Sequence, residues 1–140
     1  MSALYAATAV IEVGAGLALL CIPSAAVQIL LGATLEAPAA LAVARVGGAA
    51  LLALGVACWL ARGDTKSRAA RGLVAAMVTY NLGVALILAA AGIRLSPVGF
   101  VLWPAAVVLH AAMAIWCIMS LRHLKVAETT ADSPPGAILQ

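Results

Sequence analysis

Four long runs of apolar residues, broken by short polar punctuation, set the pattern of this chain. The first runs from about residue 3 to 22 and ends at Pro23-Ser24. The second, 39–61, follows Pro38 and ends at Arg62-Gly63-Asp64. The third covers 73–92, and the fourth covers 97–121 before Arg122-His123-Leu124-Lys125. A helix crosses a bilayer with about 20 apolar residues, so each run is long enough. Hydrocarbon leaves no water for a bare backbone, which restricts spanning structure to helices and closed barrels. Nothing here alternates as a barrel strand does. The pattern therefore predicts an all-α fold, an integral membrane four-transmembrane-helix bundle occupying residues 1–125. Residues 126–140, with Thr129, Thr130, Ser133, Pro134 and Pro135, read as a flexible cytoplasmic tail.

Between the first two runs lies Pro23 to Gly32, which is too short to cross. Ser24 suits a helix start and Gly32 a helix stop. A two-turn helix is expected there, lying at the outer interface or tucked against the bundle.

Composition narrows the class. The 140 residues are 66% hydrophobic and 9% charged. Soluble domains hold roughly 45–50% apolar and about 25% charged residues, so a soluble domain, a disordered chain and a coiled coil are excluded. Alanine fills a quarter of the chain, with 12 glycines and one Phe. Small residues let membrane helices approach closely, so they must carry most of the packing. The first run has no Lys or Arg before it and reads as a retained span, not a cleaved signal.

Charge sets orientation. Arg62, Lys66, Arg68 and Arg71 fill the second loop, and Arg122 and Lys125 open the tail. The opposite side holds Arg94 alone. The positive-inside rule then places both termini in the cytoplasm of a cell whose inner membrane holds the protein. The net charge of +3 belongs to this topology signal, and no nucleic-acid partner is expected. Trp59, Trp103 and Trp116 lie toward span ends as interfacial anchors.

Each span also carries one strongly polar residue: Glu12, Arg45, Asn81 and His110. Charged groups at a span centre cost about 2.5–3.5 kcal/mol on insertion scales, so they tend to face the interior and find partners. From the outer ends, Glu12, Asn81 and His110 lie roughly 15–18 Å deep and Arg45 roughly 9 Å, at 1.5 Å per residue. The long Arg45 side chain is expected to reach inward toward Glu12. Tyr5, Thr8, Glu12 and Gly16 share a face of the first helix. Arg45, Gly48, Leu52 and Gly55 share one on the second, and Trp103, Ala106, His110, Met113 and Cys117 share one on the fourth. Tyr80 sits beside Asn81 but about 100° around the helix, so the two need not face one space.

Two readings of this cluster stand side by side. Glu12 and Arg45 form a buried ion pair that fixes helix packing, with Asn81 and His110 completing its hydrogen bonds. Or Glu12, Arg45, Asn81, His110, Tyr80 and Trp103 line a site for an amphipathic small molecule, quinone-like or lipid-like, or for a protein partner. In that site His110 donates to a carbonyl or shuttles a proton, and Glu12 accepts one. His110 and Cys117 lie two turns apart, too far for one ion, so no metal is expected, and no cofactor is named by the sequence. Cys21, Cys58 and Cys117 form no CxxC pair.

Ile22-Pro23-Ser24 through Gln28-Ile29-Leu30-Leu31-Gly32, followed by Arg45-Val46-Gly47-Gly48-Ala49-Ala50-Leu51-Leu52-Ala53-Leu54-Gly55, resembles the DoxX-like small four-helix bacterial membrane proteins. The resemblance covers about the first 60 residues. It implies a membrane subunit of a redox complex, tied to sulfur or quinone chemistry, or an accessory protein. It assigns no role to Arg45, Gly48 or Gly55. Glu12 in the first of four spans is also similar to the small multidrug resistance transporters, which implies a proton-coupled small-molecule exporter using Glu12. The expectations are thus a non-catalytic ligand-binding protein first, a transporter second, and a redox subunit third. Membrane lipid is an expected partner, and the Ala/Gly faces permit a homodimer or a membrane complex.

Overall fold

A computed structural model describes residues 1–64, 66–95 and 101–131, with side chains described as far as 123. The described residues form five helices: α1 (Ser2–Cys21), α2 (Pro23–Leu31), α3 (Pro38–Ala61), α4 (Arg68–Leu95) and α5 (Trp103–Ala131). Four of them, α1, α3, α4 and α5, are long and apolar enough to cross a membrane. Helix α4 starts a turn before the expected span. Expected span residues 97–100 lie outside the described residues. Helix α5 carries on to Ala131, into the stretch expected as tail, and residues 132–140 lie outside the described residues.

Local chemistry explains the breaks. Ile22 leaves helical geometry (φ −134°, ψ 54°) while its N–H still reaches Ala18 O at 2.9 Å. The next residue, Pro23, opens α2 at a position where its missing N–H costs nothing. Gly32 closes α2 with a left-handed φ of 71°, its N–H bonded to Gln28 O at 2.8 Å. Pro38 opens α3 in the same way as Pro23 opens α2. In the second loop Asp64 Oδ1 accepts the Ser67 N–H at 3.1 Å, and Ser67 Oγ accepts the Ala70 N–H at 3.0 Å, so Ser67 caps α4. The hydrogen bonds from Ser67 hold the exposed Asp64 carboxyl below its ordinary range.

The expected short helix is present and tucked against the bundle. Helix α2 touches each of the four long helices, and its Ile29 carbonyl accepts the Leu102 N–H at 3.0 Å. Ser24 Oγ donates to Leu35 O at 3.1 Å, drawing the segment after α2 back onto it. Helix α2 therefore lies across one end of the bundle, at the exit of α1 and the entry of α5.

The long helices associate as two close pairs, α1 with α3 and α4 with α5. Backbone contact joins the first pair. A Cβ built on Gly16 or on Gly48 would stand 2.8 Å from the other's carbonyl oxygen. Gly55 meets Val13 and Ala9 lower down, which makes the pair antiparallel. In the second pair the Trp103 indole lies directly on Gly92, where a Cβ would collide with it. The two pairs meet through an apolar core at the second-loop end, built around Leu4, Tyr5, Cys58, Val74, Met77 and Cys117. Tyr5 is fully buried, and its hydroxyl donates to Ala70 O at 2.6 Å. The outward faces are apolar too: Leu60 is 74% exposed and Leu86 71%.

Candidate functional site: an interhelical polar chain

About one turn beyond Met77 on α4 and two turns beyond Tyr5 on α1, polar side chains from three helices meet. Glu12 comes from α1, Tyr80 and Asn81 from α4, and His110 from α5. Glu12 is 2% exposed and Asn81 1% exposed, while Tyr80 and His110 are half-buried.

Tyr80 donates its hydroxyl to Glu12 Oε2 at 2.8 Å. The His110 ring meets the Tyr80 ring edge-on, with centroids 5.8 Å apart and an 81° interplanar angle. His110 Nδ1 lies 2.8 Å from Asn81 Oδ1, and Asn81 Nδ2 donates to Met77 O at 2.8 Å. The chain runs from the α1 carboxyl to an α4 backbone carbonyl. The 100° between Tyr80 and Asn81 has a use: one turns to α1 and the other to α5, so adjacent residues bridge both helix pairs.

The order of donors fixes the histidine. A backbone carbonyl only accepts, so the Asn81 amide must aim its NH2 group at Met77. Its oxygen therefore faces His110, and Nδ1 must carry the proton that it shares. In the neutral ring, Nε2 is then a lone-pair acceptor. His110 donates through Nε2 only when the ring is charged, so donation to a ligand carbonyl from Nε2 would require the protonated ring.

The hydroxyl of Thr8 is the one side-chain group among the described residues that is buried without a hydrogen-bond partner. It sits one turn from Glu12 on the same face of α1. A buried hydroxyl left unpaired costs about 1–3 kcal/mol, so it adds unspent hydrogen-bonding capacity beside the carboxyl.

Two of the expected residues stand elsewhere. Arg45 is exposed on α3 and pairs with no residue of the cluster. The Glu12–Arg45 ion pair is therefore absent. The helix register explains this. Gly55 packs on Ala9 and Val13, so the Glu12 level falls near residue 55 of α3. Arg45 lies ten residues further, roughly 15 Å along the axis at 1.5 Å per residue. The backbone contact at Gly16 and Gly48 also leaves no channel for a side chain between the helices. Trp103 is half-buried on Gly92, two turns from His110, and packs there instead of joining the cluster.

No Lys or Arg side chain pairs with Glu12 among the described residues, so the site combines one acid, three hydrogen-bonding side chains and no counter-cation. It suits a proton, a cation or a hydroxyl-bearing neutral group better than an anion. Met113 and Cys117 turn into the apolar core, where Cys58 Sγ lies 3.7 Å from Met77 Sδ. No group of three His, Cys, Asp or Glu side chains is placed to hold a metal ion among the described residues. Thr8 and Met77 are the contributors that sequence reasoning left without a role. Both stand one turn from a nominated residue, Thr8 before Glu12 and Met77 before Asn81, and that spacing was the available signal. The chain shows no match to known protein families, to curated proteins or to solved structures.

Proposed function

We propose that this is a multi-pass inner-membrane protein with both termini cytoplasmic, and that its polar chain holds the head of an amphipathic small molecule. The head is hydroxyl-bearing, on a quinone-like or lipid-like body, and the body extends into the surrounding hydrocarbon. One observation carries the reading: two hydrogen-bonded pairs, Glu12 with Tyr80 and His110 with Asn81, joined by the edge-on contact of the Tyr80 and His110 rings, with His110 Nε2 uncommitted among the described residues and its ring half-buried. Intramembrane polar groups are costly and tend to mark ligand or ion pathways. The unpartnered Thr8 hydroxyl supports the same reading, since a ligand oxygen beside Glu12 would satisfy it. Arg45 has no part in it.

The test is native mass spectrometry of gently extracted protein, with analysis of whatever small molecule travels with it. We expect a stoichiometric hydroxylated amphiphile that is lost in Glu12→Gln and His110→Leu and retained in Arg45→Ala. Retention of the ligand in both cluster variants would remove it from this site.

A second reading gains from the exclusion of Arg45. A fixed positive charge beside Glu12 would repel cations, and none is there among the described residues. Proton-coupled transport of a cationic substrate through Glu12 is therefore the alternative. It requires substrate-dependent proton flux in proteoliposomes that disappears in Glu12→Gln.

A further inference from the structure

A second feature lies outside the polar chain, in the apolar core at the second-loop end. The chain has three cysteines and four methionines. Two of each, Cys58, Cys117, Met77 and Met113, lie in one cluster of nine buried residues. In a chain built mostly of Ala, Leu, Val and Gly, sulfur is thus concentrated at one place. Three helices supply it: Cys58 from α3, Met77 from α4, and Met113 with Cys117 from α5. Met113 and Cys117 stand one turn apart on a shared face. The Cys58 thiol donates to the Met77 thioether, with Sγ 3.7 Å from Sδ. The thiols of Cys58 and Cys117 lie near enough to interact electrostatically. Cys58 stands three residues before Ala61, where α3 ends, so an ion reaches the cluster from the second-loop side.

We infer that this sulfur cluster is a binding site for one soft monovalent metal ion, of which copper(I) is the type. The ion takes the place of the proton between Cys58 Sγ and Met77 Sδ, and the α5 sulfurs, Cys117 first, complete its coordination. Neither the ligand of the polar chain nor the orientation of the protein bears on this site. Ligand chemistry selects the ion. Thiolate and thioether together suit copper(I), whereas zinc takes thiolate, imidazole and carboxylate. Spacing agrees with one ion. Two sulfurs, each about 2.3 Å from a metal, stand 3.7 Å apart when the angle between them is about 107°, near the tetrahedral value. That angle leaves room for further sulfurs. Charge agrees as well. The thiol proton passes to the medium and a monovalent cation replaces it, so the charge of the apolar core is unchanged. A divalent ion in the same exchange would leave an unbalanced charge, which is costly to bury. No oxidation state changes on binding. Packing alone is the competing account, since Met and Cys also fill irregular gaps, and it gives the cluster no affinity for metal.

The experiment uses the full chain in detergent, reduced and free of oxygen, with copper(I) supplied as its coloured bicinchoninate complex. Loss of that colour reads transfer of the ion to the protein. We expect one copper(I) per chain to be taken up by the wild type and by Cys21→Ser. Met77→Leu is a volume-conserving swap that keeps the core filled. It should take up the ion at least about 10-fold less well, the loss that even an outer-shell change at a metal site brings. Cys58→Ser should do the same. Each variant is first melted without metal, which tells loss of fold from loss of a ligand, and Met77→Leu decides if Cys58→Ser does not fold. Zinc(II) offered in place of copper(I) should not be held. No uptake by the wild type would overturn the site, as would uptake lost in Cys21→Ser or unchanged in Met77→Leu. Stoichiometric uptake of zinc(II) would overturn the assignment to a soft monovalent ion.

Discussion

Glu12 has one described hydrogen-bond donor, the Tyr80 hydroxyl, and that bond joins the two helix pairs, as the Tyr5 hydroxyl bond to Ala70 O does nearer the second loop. Tyr80→Phe removes the donor and leaves the carboxyl buried. An unsatisfied buried polar group costs about 1–3 kcal/mol, and more if charged. We expect Tyr80→Phe to lower thermal stability in detergent, and Glu12→Leu with Tyr80→Phe to restore much of the loss. A double-mutant cycle reads this directly: contacting residues couple by about 0.5–3 kcal/mol, whereas Arg45→Ala should add to either change without coupling. Coupling between Glu12 and Arg45 would contradict the observed register. Glu12, Asn81 and His110 were legible in the sequence because polar residues in long apolar runs announce themselves. The partner of Glu12 was not. Depth counted from span ends treats all helices as level, and the offset between α1 and α3 is set by where Gly16, Gly48 and Gly55 let backbones touch. That is a property of a helix pair and cannot be read from either helix alone.

At the scale of elements, glycine position decides which contacts exist. Gly47 and Gly48 are neighbours with opposite surroundings. A Cβ at Gly47 meets nothing within 4 Å, whereas one at Gly48 strikes the α1 backbone. We expect Gly47→Val to leave the melting temperature nearly unchanged. Gly48→Val must push the helices apart, and overpacking typically costs about 1–3 kcal/mol. Equal effects of the two substitutions would mean that α1 and α3 do not meet in this way. The short helix was readable from Pro23 and Gly32, because its start and stop depend on local backbone chemistry; Ser24 does not cap it, and its hydroxyl bonds Leu35 O instead. Its seat across the end of the bundle was not readable, since the Ile29–Leu102 bond joins residues far apart in the chain. The shared faces fared unevenly for the same reason. The α1 face is buried as expected from Tyr5 through Gly16, while the α3 face is buried at Gly48 and Gly55 but not at Arg45.

For the whole molecule, the three cysteines offer a test of orientation. Cys21 is exposed, while Cys58 and Cys117 are buried. Cys21 closes α1 at the end where α2 lies, and that end faces outward in the proposed topology. A membrane-impermeant maleimide added to spheroplasts should label the protein once, at Cys21, and Cys21→Ser should abolish the label. Labelling confined to inverted vesicles would reverse the orientation. Span number and charge asymmetry were legible because each depends on composition within short windows. The pairing of α1 with α3 and of α4 with α5 depends on packing between surfaces.

The Ile29–Leu102 bond also constrains the order in which the molecule can be made. Helices α1 and α3 can zip together once residue 61 has left the ribosome, and Tyr80 can find Glu12 roughly five helical turns of synthesis later. The cap formed by α2 must wait for Leu102, and Asn81 must wait for His110 before its oxygen is engaged. A nascent chain halted before α5 would thus hold an acid–tyrosine pair in an open three-helix groove. The last helix to emerge closes the α2 end and completes the polar cluster in one step, so the cluster comes into being only when biosynthesis of the bundle is finished.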